Sequence, residues 1–218
     1  MMTGIGVARF WERMHGVVAV RHPLLAVFLG DAELDAVVRS YIAVHPPRPL
    51  GQAKVGARLA EFLASTEPWS AHPIIAELAA YDYRRSGVAL QPEEKALTRA
   101  QLTSAHPHTI ARTRIRLKRR SALVMTRFRF HALPPTRLSR TTPLDEHPTY
   151  LLVHMAKSDM MTIEVDAVAH AAFEHFALGG TMRALTQALR GLTFTELEIE
   201  RFLARCFAAG LLVADGHA

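Results

Sequence analysis

A single cysteine, Cys206, stands among the 218 residues, which excludes an intramolecular disulfide and every multi-cysteine zinc or iron–sulfur arrangement. Long apolar runs are also missing. The early stretch from Gly16 to Gly30 is broken by Arg21, His22 and Pro23, so it falls short of the roughly 20 uninterrupted apolar residues that a membrane span needs. The first residues carry Arg9, Glu12 and Arg13, where a secretory signal would have a basic segment, an apolar block and a small-residue cleavage site. A mature, soluble, cytoplasmic chain is the expectation. No HExxH, glycine-rich phosphate loop or GxSxG elbow occurs, and Gly179-Gly180 reads as a helix stop rather than a phosphate cradle. With no acid, base, nucleophile or ligand set assembled, catalysis by this chain alone is not expected.

Half of the sequence is apolar and 21% is charged, with a mean hydropathy of +0.09. That is enough apolar material for a packed core and rules out disorder as the main state. The charge is unevenly spread. Between Arg112 and Arg140 there are ten basic residues and no carboxylate, leaving 16 basic against 20 acidic residues elsewhere. The isoelectric point near 10.0 is therefore the property of one segment, and it is a poor warrant for whole-surface attraction to nucleic acid.

The first 104 residues read as consecutive helices. Residues 5–20 place Ile5, Phe10, Trp11, Met14, Val17 and Val18 in a helical stripe. Asp31 stands as the N-cap of a second helix carrying Leu34, Val37, Val38, Tyr41 and Ile42, which His45, Pro46, Pro47 and Pro49 stop. A third helix is expected over about 50–65 with Leu50, Val55, Leu59, Phe62 and Leu63 inward, and a fourth over about 73–86 behind Pro73. Pro92 with Glu93 and Glu94 opens a short fifth.

The period then changes to two. Residues 112–118 and 123–130 alternate basic and apolar side chains about a short Arg119–Ala122 connection, the signal of a β-hairpin. Ile115, Leu117, Phe128 and Phe130 would face a core, while Arg114, Arg116, Lys118, Arg127 and Arg129 share the opposite face as an anionic-partner contact. Aligned arginines repel across strands, although exposed charge on an edge strand also deters aggregation. After a loop at Pro134, Pro135 and Pro143, strands at 150–155 and 161–165 flank a polar turn. Asp166, Thr181 and either Thr193 or Thr195 then cap three helices, the last box pairing Thr193 with Glu196 or Thr195 with Glu198, and Leu211–Val213 is a return strand. The fold class is α+β: a helical domain over 1–108, then a small antiparallel sheet with a three-helix, winged-helix-like domain over 109–218. That outline serves DNA and peptide ligands alike.

Metal and thiol chemistry find little support. His106-Pro-His108 supplies two imidazoles without a third ligand, and His170 with Glu174 is a pair four apart on a helix. Cys206 lies among Phe202, Leu203 and Phe207, where a thiol is core packing rather than a nucleophile.

The segment order resembles a known family. Tyr41 through Pro46, Gly56-Ala57-Arg58-Leu59-Ala60-Glu61-Phe62-Leu63, and Pro73 to Glu77-Leu78-Ala79 and Tyr83 look like the helical domain of the MbnC-like partner proteins, which accompany multinuclear non-haem iron-dependent oxidative enzymes. Tyr150-Leu151-Leu152-Val153-His154, the helix end from Phe173 to Gly180 and the helix from Thr181 to Leu189 resemble their carboxyl-terminal half, and the likeness spans about residues 25–213. The resemblance implies a non-catalytic subunit that docks on an MbnB-like iron enzyme and holds the leader of an MbnA-like ribosomally made precursor peptide. The iron belongs to the partner enzyme, with no cofactor in this chain. There the enzyme oxidises a core cysteine, giving in methanobactin, a copper-chelating peptide, an oxazolone and a thioamide. The carboxyl-terminal half looks like a peptide-recognition element in which the leader adds a strand to a sheet edge. Carried over, the edge is Thr162, Ile163, Glu164 and Val165, and the adjoining helix face holds Arg201, Phe202 and Arg205. The alternative is a winged-helix DNA-binding regulator, against which Glu196, Glu198 and Glu200 at the start of the would-be recognition helix would repel phosphates.

Overall fold

The computed structural model describes residues 4–47, 55–142, 144 and 146–214. Its contacts gather into two compact units, Met1–Ser86 with Thr126–Pro148, and Gly87–Met125 with Thr149–Ala218. The sequence puts one boundary at 108/109; the structure divides the chain at three places, because β2 and β3 below each run from one unit into the other. The class is α+β.

The first unit is built from α1 (Gly4–Arg21), α2 (Pro23–Leu29), α3 (Asp31–Val44), α4 (Leu59–Ser65) and most of α5 (Pro73–Leu90). Helix-spaced apolar residues account for its core: Met14 and Val18 from α1, Leu34, Val37 and Val38 from α3, Leu59 and Leu63 from α4, and Ile75 and Leu78 from α5 are all buried. Two expectations are corrected here. Asp31 lies inside the first turn of α3, and Gly30 is the N-cap, at φ 72°, a left-handed backbone that glycine adopts without Cβ strain. The third helix begins at Leu59 rather than near 50, and Val55 is buried in the turn before it; Pro49, Leu50 and Pro143 lie outside the described residues.

The second unit holds α6 (Arg99–Thr103), α7 (Pro107–Arg112), β1 (Arg114–Leu117), most of β2 (Ser121–Phe128) and β3 (Glu146–Ala156), then β4 (Asp159–Val165), α8 (Ala167–Leu178), β5 (Gly180–Thr181), α9 (Met182–Gly191), α10 (Glu196–Ala208) and β6 (Leu212–Ala214). No helix starts at Pro92: residues 91–98 are irregular, and α6 is opened by a Thr98–Gln101 capping box. The expected hairpin does not form either. β1 is the centre of a sheet ordered β5-β1-β6, whereas β2 belongs to a separate sheet ordered β2-β3-β4. Glu94 receives two guanidinium N–H bonds from Arg116 (2.5 and 3.2 Å) and the backbone N–H of Arg119 (2.6 Å). The arginines are thereby neutralised by a nonlocal acid instead of opposing one another across strands.

β3 and β4 form a long antiparallel hairpin in unbroken register from Tyr150↔Val165 to Ala156↔Asp159. Its two-residue turn is Lys157-Ser158, with Lys157 at φ 57°. Three caps then set the helices: Asp166 accepts the N–H of Ala169 (2.7 Å), Thr181 that of Ala184 (3.2 Å) and Thr195 that of Glu198 (3.3 Å). Of the two boxes offered for α10, the structure uses Thr195–Glu198; Thr193 instead takes φ 69° in the preceding turn. These helices bury Phe173, Phe176, Leu185, Leu189, Ile199, Phe202 and Cys206 against Ile115, Leu117 and Leu212. Thr195→Ala removes both halves of the box at the start of α10 and is expected to cost about 1–2 kcal/mol in urea unfolding. Asn at the same position should restore most of the loss, and an unchanged midpoint for Thr195→Ala would contradict that role.

Candidate functional site

Among the described residues β4 is the outer strand of its sheet, which is ordered β2-β3-β4. Alternate N–H and C=O groups along such an edge point away from the sheet. β4 contains neither proline nor lysine, and its register with β3 has no bulge. Met161 and Ile163 are 44% and 41% exposed, leaving apolar surface on this outer strand.

Beside the strand, α10 turns an apolar side toward it. Ile163, Glu164 and Val165 of β4 line a cavity of about 280 Å³ together with Phe173, Phe202, Arg205 and Cys206. A larger cavity of about 930 Å³ lies along α10, reached past Asp166 and lined by Val168, Leu192, Phe194, Arg201 and again Phe202 and Arg205. The two share Asp166, Ala169, Phe202 and Arg205, so they are parts of one groove. Phe202 is its floor: buried, with ring centroids 5.0 Å from Phe173, 6.1 Å from Phe176 and 5.6 Å from Phe194.

Six of the seven residues assigned to the edge and the helix face line this groove. Thr162 lines neither cavity and lies within β4 opposite Val153. Absent from the sequence reading are Val168 and Ala169 at the start of α8, and the Leu192–Phe194 turn. Thr193 between α9 and α10 offered a weak signal, since a second threonine two residues before the true cap has no helical role to fill.

The basic residues are dispersed. Arg114 is exposed on β1, Arg116 is the ion-pair partner of Glu94, and the Lys118 ammonium donates to the carbonyl of Met155. Burial, then Arg120, lowers the Lys118 pKa, while the Arg116 hydrogen bond holds the Glu94 carboxyl below the usual range. Arg127 belongs to the first unit, where its backbone N–H and its Nε both reach Glu77 at 2.7 Å, and Arg129 is exposed in the same unit.

The other candidate groups have local tasks. His106 Nδ1 accepts the N–H of His108 (3.3 Å) at the start of α7. His170 lies 3.8 Å from Glu174 and packs on Tyr150 at 4.9 Å between ring centroids. Burial pushes the Cys206 thiol up to about 12, so it carries almost no thiolate at neutral pH. Among the described residues no group of three or more His, Cys, Asp or Glu side chains is placed to hold an ion, and no helix is long and apolar enough to cross a membrane. No protein-family model matches this chain, and no curated protein matches it either.

Proposed function

We propose that this chain is a non-catalytic subunit that holds the leader of a ribosomally made precursor peptide along the outer edge of β4. It docks the peptide on an iron-dependent oxidative enzyme that modifies a cysteine, as in the oxazolone and thioamide chemistry of methanobactin. The observation that carries this reading is an outer strand, β4, set beside an apolar groove. Strand addition bonds any backbone and sorts alternate side chains into pockets, which suits a peptide disordered until it docks.

The arrangement of α8, α9 and α10 on the β5-β1-β6 sheet we read as winged-helix-like. In a DNA reader α10 would be the recognition helix, and its first turns present Glu196, Glu198 and Glu200. Phosphates would be repelled there, so the peptide reading is preferred. The test is co-expression of the full chain with an MbnB-like iron enzyme and an MbnA-like precursor peptide. Iron should follow the enzyme subunit, and modification should stop when this chain is left out. A lone chain that transforms the peptide, or retains tightly held iron, overturns the proposal. Duplex affinity that falls steeply with salt would restore the DNA reading.

A further inference from the structure

Two stretches of the chain carry no carboxylate at all, residues 95–144 and 175–195, and within the second unit the fold lays parts of them side by side. α7 packs against α9, Arg114 of β1 stands opposite Thr181 of β5, and the N–H of Met182 donates to the carbonyl of Thr113 at 3.1 Å. This pairing gathers Arg112 at the end of α7, Arg114 at the start of β1 and Arg183 in the first turn of α9 at one corner, all three exposed. Their guanidinium groups make no ion pair or hydrogen bond among the described residues. The acids of the neighbouring elements are placed elsewhere: Glu94 is held by Arg116 and the Arg119 N–H, Glu174 of α8 lies 3.8 Å from His170, and Glu196 pairs with Arg190 beyond the other end of α9. β6, on the other side of β1, is uncharged over Leu212–Ala214, and Asp215 lies outside the described residues. Arg183 is also set against its own helix, because the start of a helix favours negative charge and the first turn of α9 has no acid.

We propose that this corner is a docking surface for the acidic face of a folded protein partner and, resting on the subunit reading above, that the partner is the iron-dependent enzyme. Three exposed guanidiniums gathered without a counter-charge repel one another, and carboxylates brought by a partner relieve that repulsion through bidentate pairs. A nucleic acid fits the corner less well. No Phe, Tyr or Trp lies between Arg99 and Leu117 or between Leu178 and Thr193, so no ring is offered for bases to stack on. The phosphates of a duplex recur along its length, and α9 is only about 15 Å long, so they would run on to Glu196, Glu198 and Glu200 at the start of α10. A bounded acidic patch stops short of them.

The test measures binding of the full chain to an MbnB-like iron enzyme and, in parallel, to a random-sequence DNA duplex. Reversing the corner (Arg112→Glu, Arg114→Glu and Arg183→Glu together) should weaken the enzyme complex at least about tenfold, chiefly by slowing association, and should flatten its dependence on salt. Lysine at the same three positions keeps the charge and should cost no more than about threefold. Reversing the exposed Arg9, Arg13 and Arg84 of the first unit changes the net charge equally, and should also cost no more than about threefold. Where the triple reversal does not fold, the three single reversals carry the test, each expected to weaken the complex about two- to threefold. An enzyme complex indifferent to the corner reversal, or weakened as much by the control set, overturns the inference and leaves the subunit reading standing. Duplex binding that the corner reversal abolishes assigns the surface to nucleic acid and overturns the inference as well, whereas the absence of any complex with the enzyme overturns both the inference and the subunit reading.

Discussion

Phe202→Ala is expected to destabilise the second unit by about 3–5 kcal/mol, the range for removing a buried aromatic side chain whose surroundings collapse only partly. The ring is 3% exposed and meets three other phenylalanines, two from α8 and one from the turn before α10. Deleting it therefore loosens the contact that spaces α10 from α8 as well as the groove floor. Hydrogen exchange of the α8 and α10 amides should rise by two to three orders of magnitude, since each 1.4 kcal/mol is tenfold. Phe202→Leu keeps most of the apolar volume and should cost about 1 kcal/mol. The leucine variant should therefore remain folded while its groove changes shape, which separates a binding defect from a folding defect. Protection unchanged in Phe202→Ala would mean that the ring is not the support of this groove.

The parts of this fold that were legible in the sequence are those fixed within one turn of chain. Asp166, Thr181 and Thr195 were readable as caps because a cap bonds an amide two or three residues away. The β3 and β4 strands were readable as two apolar runs about a polar turn expected at Lys157–Asp159, whereas their register, with a turn of only Lys157-Ser158, came from the structure. What failed was nonlocal. Alternation marked β1 and β2 as strands, yet nothing in either segment says that β1 pairs with β5 and β6 rather than with β2. Glu94 looked like a helix opener because the arginines it serves lie 22 and 25 residues downstream. The groove was half legible: its strand and helix were named, but the α8 start and the Leu192–Phe194 turn are brought in by packing alone. His22 and Asp82 were not singled out, although they are the most deeply buried ionisable side chains among the described residues of the first unit.

That buried pair carries the second large prediction. Asp82, on α5, accepts the N–H groups of Leu24 (2.8 Å) and Leu25 (3.0 Å) through Oδ2, capping α2 from another helix, while its Oδ1 has no partner among the described residues. His22 donates its Nδ1–H to the carbonyl of Ala79 (3.1 Å), and its Nε2 is buried without a partner among the described residues, so close to Gly56 that a Cβ there would sit 2.5 Å away. Burial raises Asp82 to about 7, against the pull of the Leu25 and Leu24 amides and Arg85, and burial lowers His22 to about 4. The two act on stability with opposite sign. Asp82 keeps its proton in the folded state, so its contribution is full below the ordinary carboxyl pKa near 3.8 and is lost as pH rises toward 7. His22 stays neutral when folded, so its contribution is full above 6.5 and is lost as pH falls toward 4. Between those limits the folded chain holds one proton on Asp82 where the unfolded chain holds one on His22, and the two slopes cancel. Asp82→Asn should expose the histidine term alone: relative to the unsubstituted protein, its unfolding free energy from urea titration should rise with pH between 4.5 and 6.5, by on the order of 1 kcal/mol per pH unit. His22→Gln should do the reverse, losing stability over the same interval. Variants whose differences from the parent run parallel with pH would show that the two groups do not titrate as a compensating pair, and that the polar core of the first unit is held by other means.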